Sequence, residues 1–263
     1  MKTEVRSRGR GIEAKIYIVG TGPGAIEHMT RAAVDAIRKS DVIVGYGTYL
    51  DLIRGLVHDK DVVTTGMTQE VERCKKAVDL AASGKTVSVV SGGDPGVYAM
   101  AGLVFELLRS ECARGSHLPV VEVIPGISAL NAAASRLGAP LMHDFACISL
   151  SDRLTPWDVI EKRLDAAAAA DFVIVLYNPR SKGRPYHTGR ARDIILRHRN
   201  PDTAVGIVKS AMRKDERVII TDLKNMREDD IDMQTTVIIG SSRTFVWEGL
   251  MVTPRGYERK FEI

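Results

Sequence analysis

An α/β fold of two domains, each built on a mixed, mostly parallel sheet of about five strands, is the fold class this sequence predicts. Three observations predict it. The chain has 263 residues, which at roughly 150 residues per domain is one large domain or two modest ones. Short apolar runs alternate with stretches of helical periodicity along its whole length, the rhythm of strands buried between helices. That rhythm breaks once, at 137–143, where Leu-Gly-Ala-Pro-Leu-Met-His reads as a linker. Domains are therefore expected at 15–140 and 145–263, behind a flexible leader at 1–14.

In the first half the expected strands are 15–20, 42–45, 62–65, 86–91 and 120–124. Between them, 30–39 carries Ala33, Val34 and Ile37 at helical spacing, with Thr30 as a natural N-cap. The stretch 68–83 repeats the pattern with Val71, Cys74, Val78 and Ala81, then stops at Gly84, a good residue just past a helix end. Further helices are expected at 96–109 and 127–137. A second cycle follows, with strands at 145–150, 172–177, 204–209, 217–221 and 235–239 and helices at 157–170 and 186–199. Thr155-Pro156 suits a helix start, Thr as the cap and Pro at the first helical position. In sheets of this kind ligands lie outside the C-terminal strand ends, and clefts between domains are favoured.

Composition narrows the function. Apolar residues make up 44% and charged residues 27% of the chain, ordinary globular values that exclude disorder and fibres. No apolar run reaches the ~18 residues of a membrane span, and the basic 1–15 stretch lacks the apolar core of a secretory signal. Cys74, Cys112 and Cys147 lie far apart without a CxxC, which fits a reducing cytoplasm. The six histidines show no HxH or HxxxH spacing, so no metal site is expected. The net charge is only +4, yet 180–217 holds eleven Lys/Arg against four Asp/Glu. A solvated helix face accounts for such an excess, as does a basic rim for an anionic ligand.

Three glycine turns follow three of the expected strands. GTGPG at 20–24 ends the first strand. Read through Ala25 it approaches a dinucleotide fingerprint, but the helix waits until Thr30, and Asp41, the only candidate near the place ~20 residues on where the ribose-binding acid is expected, precedes its strand instead of ending it. No GxxxxGK[ST] occurs, so a Walker-type phosphate loop is excluded. SGGDPGVY at 91–98 follows the apolar strand at 86–90, and PGISA at 125–129 follows the strand at 120–124. Each alone could be a plain turn capped by Asp94 or Ser128. Three at strand ends within one domain point to a shared site where backbone approaches a ligand closely.

In this order and spacing the three turns resemble the tetrapyrrole methylase family, S-adenosylmethionine (SAM) enzymes with two α/β domains and the active cleft between them. The resemblance runs from about Lys15 to Tyr257. VLYNPRSKGRP at 175–185 and AVGIVKSAMR at 204–213, with GYGTY at 45–49 and Gly66-Met67, are similar to one branch of it, the C17-methyltransferases of precorrin-3B or cobalt-precorrin-3 in cobalamin biosynthesis. The resemblance implies SAM contacts at Pro23, Gly92, Gly93, Asp94, Val97, Ser128 and Ala129, and, from looser motifs, at Asn178, Gly206, Thr235 and Thr236. Asn178 departs from the methionine common in the family. It also implies a cytoplasmic homodimer acting on a small-molecule tetrapyrrole.

The chemistry suits the residues. Methyl transfer from a sulfonium is an in-line displacement with a neutral thioether leaving, so the protein chiefly positions the partners. A sequence without a triad or metal cluster is then no surprise. A precorrin carries several carboxylates, for which Tyr46, Arg180, Lys182 and Arg184 are the expected substrate residues, arginine forks binding carboxylates bidentately. The branch couples methylation to ring contraction, which needs proton traffic; His143, Asp144, His187, Tyr46 and Tyr98 are candidates by type, and none is singled out as catalytic. The competing readings are another methylase of the same family, acting at a different precorrin position, on ribosomal RNA or on a histidine derivative of a translation factor. No basic stretch interleaved with aromatics for base stacking is present, which argues against nucleic acid.

Overall fold

The computed structural model describes residues 14–66, 68–115 and 117–262. Most of the expected leader and Met67 of the Gly66-Met67 pair lie outside the described residues. The chain divides into two compact units, 1–128 and 129–263.

The first unit begins with β1 (Lys15–Gly20), a 3-10 turn at Ile26–His28 and α1 (Arg31–Lys39). Then come β2 (Val42–Tyr46), α2 (Gly47–Leu52), α3 (Arg54–Val57), β3 (Asp61–Thr65) and α4 (Glu70–Ala82). β4 (Thr86–Ser91), α5 (Met100–Ala113) and β5 (Val120–Ile124) complete it. All five strands run parallel, in the order β3-β2-β4-β1-β5. Alternate residues of each strand serve opposite faces. Ile16, Ile18, Val42, Val44, Val87 and Val89 pack on α4 and α5, while Tyr17, Val19, Ile43 and Val90 pack on α1, α2 and α3. A strand covered on both faces is apolar on both, which is why these runs lack the alternation of a half-exposed strand, and the fully buried Ser88 of β4 has its hydroxyl hydrogen-bonded to Ser40. Thr30 caps α1 as expected, its Oγ1 accepting from Ala33 N at 3.1 Å. α5 starts four residues later than expected. Asp94 Oδ1 accepts from Gly96 N and Tyr98 takes a positive φ, so 94–99 is a turn and Pro95 does not open the helix.

The second unit opens with α6 (Ala129–Leu137) and β6 (Gly138–Ala139). β7 (Phe145–Ser149), α7 (Trp157–Ala169), β8 (Val173–Tyr177), α8 (His187–Ile195) and β9 (Ala204–Lys209) follow. It ends with β10 (Arg217–Asp222), β11 (Thr235–Ile239), β12 (Phe245–Trp247) and β13 (Leu250–Val252). The helix at 129–137, expected in the first domain, groups with the second. Leu137 lies against Gly206 of β9, and Tyr177 at the end of β8 accepts a hydrogen bond from Leu130 N at 2.8 Å. The presumed linker at 137–143 is not free either, because β6 pairs with β13.

The second sheet is mixed, in the order β10-β9-β11-β8-β7, but antiparallel pairs prevail: only β7 and β8 run parallel. The expectation of a mostly parallel sheet therefore holds for the first unit alone. The physical reason is the stretch from 204 to 239, which has no crossover helix, and short connections return a strand antiparallel. Helix α7 also starts differently from expectation, with Pro156 at the N-cap, Thr155 outside it and no side-chain cap. The β12–β13 hairpin, invisible to periodicity, turns through Glu248 and Gly249, both at positive φ, the geometry that suits strand twist. Among the described residues no helix is long and apolar enough to cross a membrane, and no His/Cys/Asp/Glu group could hold a metal ion.

Candidate functional site

Because the strands of the first unit are parallel, their C-terminal ends share one edge, and there the three glycine turns meet. Thr21 donates from N and from Oγ1 to the Ser91 carbonyl at 2.8 and 3.0 Å. Gly22 and Gly93 exchange two hydrogen bonds, Gly22 N to Gly93 O at 3.1 Å and Gly93 N to Gly22 O at 2.7 Å, both residues at positive φ. The Asp94 carboxylate ties the second turn to the third: beside its bond from Gly96 N, its Oδ2 accepts from Gly126 N at 3.2 Å. A Cβ on Gly20 would lie 2.6 Å from Gly93 O, 2.7 Å from Gly126 N and 2.8 Å from Pro95 Cδ, so only glycine lets these backbones close. The Ser91 hydroxyl is buried here with no hydrogen-bond partner among the described residues.

The β2 flank of this edge is aromatic. Tyr49 lies flat against Gly92, whose Cβ would fall 2.5 Å from its Cε1. Tyr46 meets Tyr49 edge-on, with ring centroids 5.6 Å apart. Behind Tyr46, 5.8 Å from its ring centroid, sits the guanidinium of Arg73, a residue of α4 only 4% exposed.

In the second unit, the C-terminal ends of β7, β8 and β9 and the start of β11 lie along one edge. Asn178 adopts φ +50° and donates from Nδ2 to Ser149 Oγ at 3.0 Å. Asparagine tolerates left-handed backbone far better than methionine does, which accounts for its place here. Thr235 is buried and its Oγ1 donates to Asp232 Oδ1 at 3.0 Å. Asp232 also takes Lys209 Nζ at 2.7 Å. Burial alone would raise the Asp232 carboxyl, but the bonds from Lys209, Gln234 N and Thr235 hold it below its ordinary value. Thr236 is buried at the next position of β11.

The sequence-expected residues separate under this geometry. Gly92, Gly93, Asp94 and the Gly20–Gly24 turn that contains Pro23 come together with the turn leading to Ser128 and Ala129; Val97 N donates to Asp94 O at 3.3 Å. Gly206 lies mid-strand, and a side chain there would overlap Leu137, so helix packing suffices to explain it. Of the basic loop, Arg180 is already engaged by the Glu228 carbonyl and by Asp229 Oδ1. Arg184 is 8% exposed, hydrogen-bonded to Ser181 Oγ and Met233 Sδ, and burial lowers its pKa. Lys182 is exposed, with no polar partner among the described residues. His187 donates from Nε2 to Asp152 Oδ2, 3.1 Å away, and stacks edge-on against Trp157. His143 is taken up locally, its Nδ1 bonded by Asp144 N at 2.8 Å. Sequence reasoning missed Arg73, Tyr49 and Ser91. Tyr49 was within reach, because it stands in the GYGTY motif; nothing local marks Arg73 as buried.

A parallel sheet whose glycine turns are locked backbone to backbone at the carboxyl edge has the form in which α/β units present main chain to a ligand. The chain belongs to the tetrapyrrole (corrin/porphyrin) methylase family, whose profile matches residues 15–227. A cobalt-factor III methyltransferase of Priestia megaterium is 52% identical over 252 residues, 96% of this chain, although the chain spans only 47% of that longer protein. A Salmonella typhimurium protein described as a probable cobalt-factor III C(17)-methyltransferase is 50% identical over 243 residues, 92% of this chain and 99% of the relative. Among solved structures, the methyltransferase CobJ superposes with a TM-score of 0.86 at 34% identity, over 92% of this chain and all of that one.

Proposed function

We infer that this chain transfers a methyl group from SAM to C17 of a cobalt-bearing or metal-free precorrin-3-level macrocycle, a step of cobalamin biosynthesis. The observation that carries the reading is the locked edge of the first unit, where GTGPG, SGGDPG and PGIS meet around Asp94. The names of the two relatives supply the substrate class and the ring position.

The residues suit a zwitterionic sulfonium ligand. Gly92 and Gly93 offer partly exposed main chain without side chains, and the Ser91 hydroxyl is buried and unpartnered. Backbone dipoles at such turns meet both an ammonium and a carboxylate. Bound SAM supplies an activated methyl whose carbon–sulfur bond breaks as the bond to C17 forms. Asp94 acts on this edge by holding two turns in register through Gly96 N and Gly126 N, so the cradle is pre-organised. Pro23, Val97, Ser128 and Ala129 flank it. Asn178, Thr235 and Thr236 are assigned to the cofactor on the weaker ground of motif alone. Of the basic loop, Lys182 is exposed and can meet an acceptor carboxylate, whereas Arg180 is engaged by Glu228 and Asp229, and Arg184 is bonded to Ser181 and Met233 with one buried terminal nitrogen left without a partner among the described residues.

The test is direct. Purified protein is given methyl-labelled SAM with cobalt-bearing or with metal-free trimethylated acceptor, and product mass and absorbance are followed. Label in the macrocycle with release of S-adenosylhomocysteine is the expected result. Label in neither acceptor overturns the reading. In the same assay Lys182→Ala is expected to raise the acceptor KM several-fold with SAM affinity unchanged, while Arg180→Ala lowers the melting temperature.

A further inference from the structure

Among the described residues Arg73 is a cation with no counter-ion. It is 4% exposed, and its side chain is held by neutral groups only: Nε donates to Thr65 Oγ1 at 2.7 Å, one terminal nitrogen to the Gly66 carbonyl at 2.9 Å, and the other to Met100 Sδ at 3.6 Å. No carboxylate lies within ion-pair reach of it among the described residues. Glu72, one position away, instead accepts from Gln69 Nε2 at 3.1 Å. Burying a charge is costly unless it is paired, and a protein that seeks stability alone has cheaper ways to join β3 to α4.

Its position suggests what the charge is for. Thr65 ends β3, Tyr46 ends β2, and Gly92 follows β4, so Arg73 stands behind the same carboxyl edge that carries the glycine turns. Between the guanidinium and the second glycine turn lies a continuous aromatic path: Arg73 over Tyr46 at 5.8 Å, Tyr46 against Tyr49 at 5.6 Å, Tyr49 flat on Gly92. Tyr46 is half-buried at the end of β2, and its ring stands between Arg73 and Tyr49. A buried cation is screened little by salt or water, and its field extends several ångströms into a ligand beside it.

We propose that Arg73 is a specificity-determining residue that selects a carboxylate-bearing acceptor at the β2 flank of the glycine edge, acting through Tyr46 rather than by touching the ligand. The acceptor supplies the counter-charge that the fold withholds. The inference rests on the proposed function for the acceptor's anionic character, and its test does not require turnover.

Two porphyrins serve as probes, uroporphyrin with eight carboxylates and coproporphyrin with four. Their binding is followed by absorbance titration, and that of S-adenosylhomocysteine by calorimetry. The wild type is expected to prefer uroporphyrin. Arg73→Met and Arg73→Gln are expected to weaken uroporphyrin binding about tenfold and to narrow its advantage over coproporphyrin, with S-adenosylhomocysteine affinity within twofold. Arg73→Lys keeps the charge and most of the preference. Glutamine retains amide donors for Thr65 and Gly66, so it tests the charge even if the methionine variant does not fold. Unchanged porphyrin preference in a folded, uncharged variant overturns the proposal. So does a parallel loss of S-adenosylhomocysteine binding, which marks a purely structural arginine. Failure of labelled methyl transfer by the wild type overturns the proposed function instead.

Discussion

Gly20→Ala probes the whole glycine edge with one methyl group. An added Cβ would lie 2.6 Å from Gly93 O, 2.7 Å from Gly126 N and 2.8 Å from Pro95 Cδ, touching both other turns at once. Two of these atoms are backbone, so no rotamer change relieves the overlap. Forcing a methyl into such a place costs about 1–3 kcal/mol. Displacing Gly126 also threatens its bond to the Asp94 carboxylate, worth about 1.5–3 kcal/mol as a bond to a charged group. The sum, about 2.5–6 kcal/mol, is a large share of a typical stability of ~5–15 kcal/mol. A fall in melting temperature on the order of 10 °C follows, with S-adenosylhomocysteine binding weakened tenfold or more. Differential scanning calorimetry and titration calorimetry read the two effects. Gly102→Ala is the control, since a Cβ there meets nothing within 4 Å on an exposed face of α5, and helix propensity makes it neutral to stabilising. Should Gly20→Ala melt within a degree of wild type and bind S-adenosylhomocysteine normally, the three turns are not in contact and the reasoning fails.

The thiols and one carboxylate give further checks. Burial pushes the Cys74 thiol up to about 11, whereas Cys112 is exposed. Mass-mapped alkylation of the native protein at pH 8 is therefore expected to label Cys112 rapidly and Cys74 only on unfolding; equal rates would mean that the α4 face opens. Asp232 is held below its ordinary pKa of 3.8, so the stability it contributes is complete above that value and is lost as pH falls through the lower folded one. Asp232→Asn is expected to melt lower at pH 7 and to show a flatter decline below pH ~4; identical slopes in thermal melts from pH 3 to 7 would contradict this.

The parts of the fold legible in the sequence were those fixed by local pattern. Strands at 15–20, 86–91, 120–124, 204–209 and 235–239 coincide with β1, β4, β5, β9 and β11, because continuous apolar runs between turn residues have few other uses. The grouping of the glycine turns was legible for a related reason: parallel strands place all their C-terminal ends on one side. Direction in the second sheet was not, since a strand reads the same whichever way it pairs, and only the missing helix between 204 and 239 hinted at reversal. Arg180 and Arg184 read as free cations in a basic loop. Their partners, Glu228, Asp229 and Met233, stand some fifty residues away, where no local rule reaches. Arg73 was opaque for the same cause, its burial being set by Tyr46, Thr65 and Met100 together.

The order of strands in the first sheet has a consequence for how the chain assembles. β1 sits between β4 and β5, so its neighbours are residues 86–91 and 120–124. During synthesis it leaves the ribosome before either of them, so one edge stays unsatisfied until about seventy further residues have emerged and the other until about a hundred. The β9–β10 hairpin needs only the turn at 210–216 and closes almost as soon as it is made. Late-made sequence thus gains structure quickly, while an early, very apolar strand waits for distant partners, and that interval is when a nascent-chain chaperone would find most to hold.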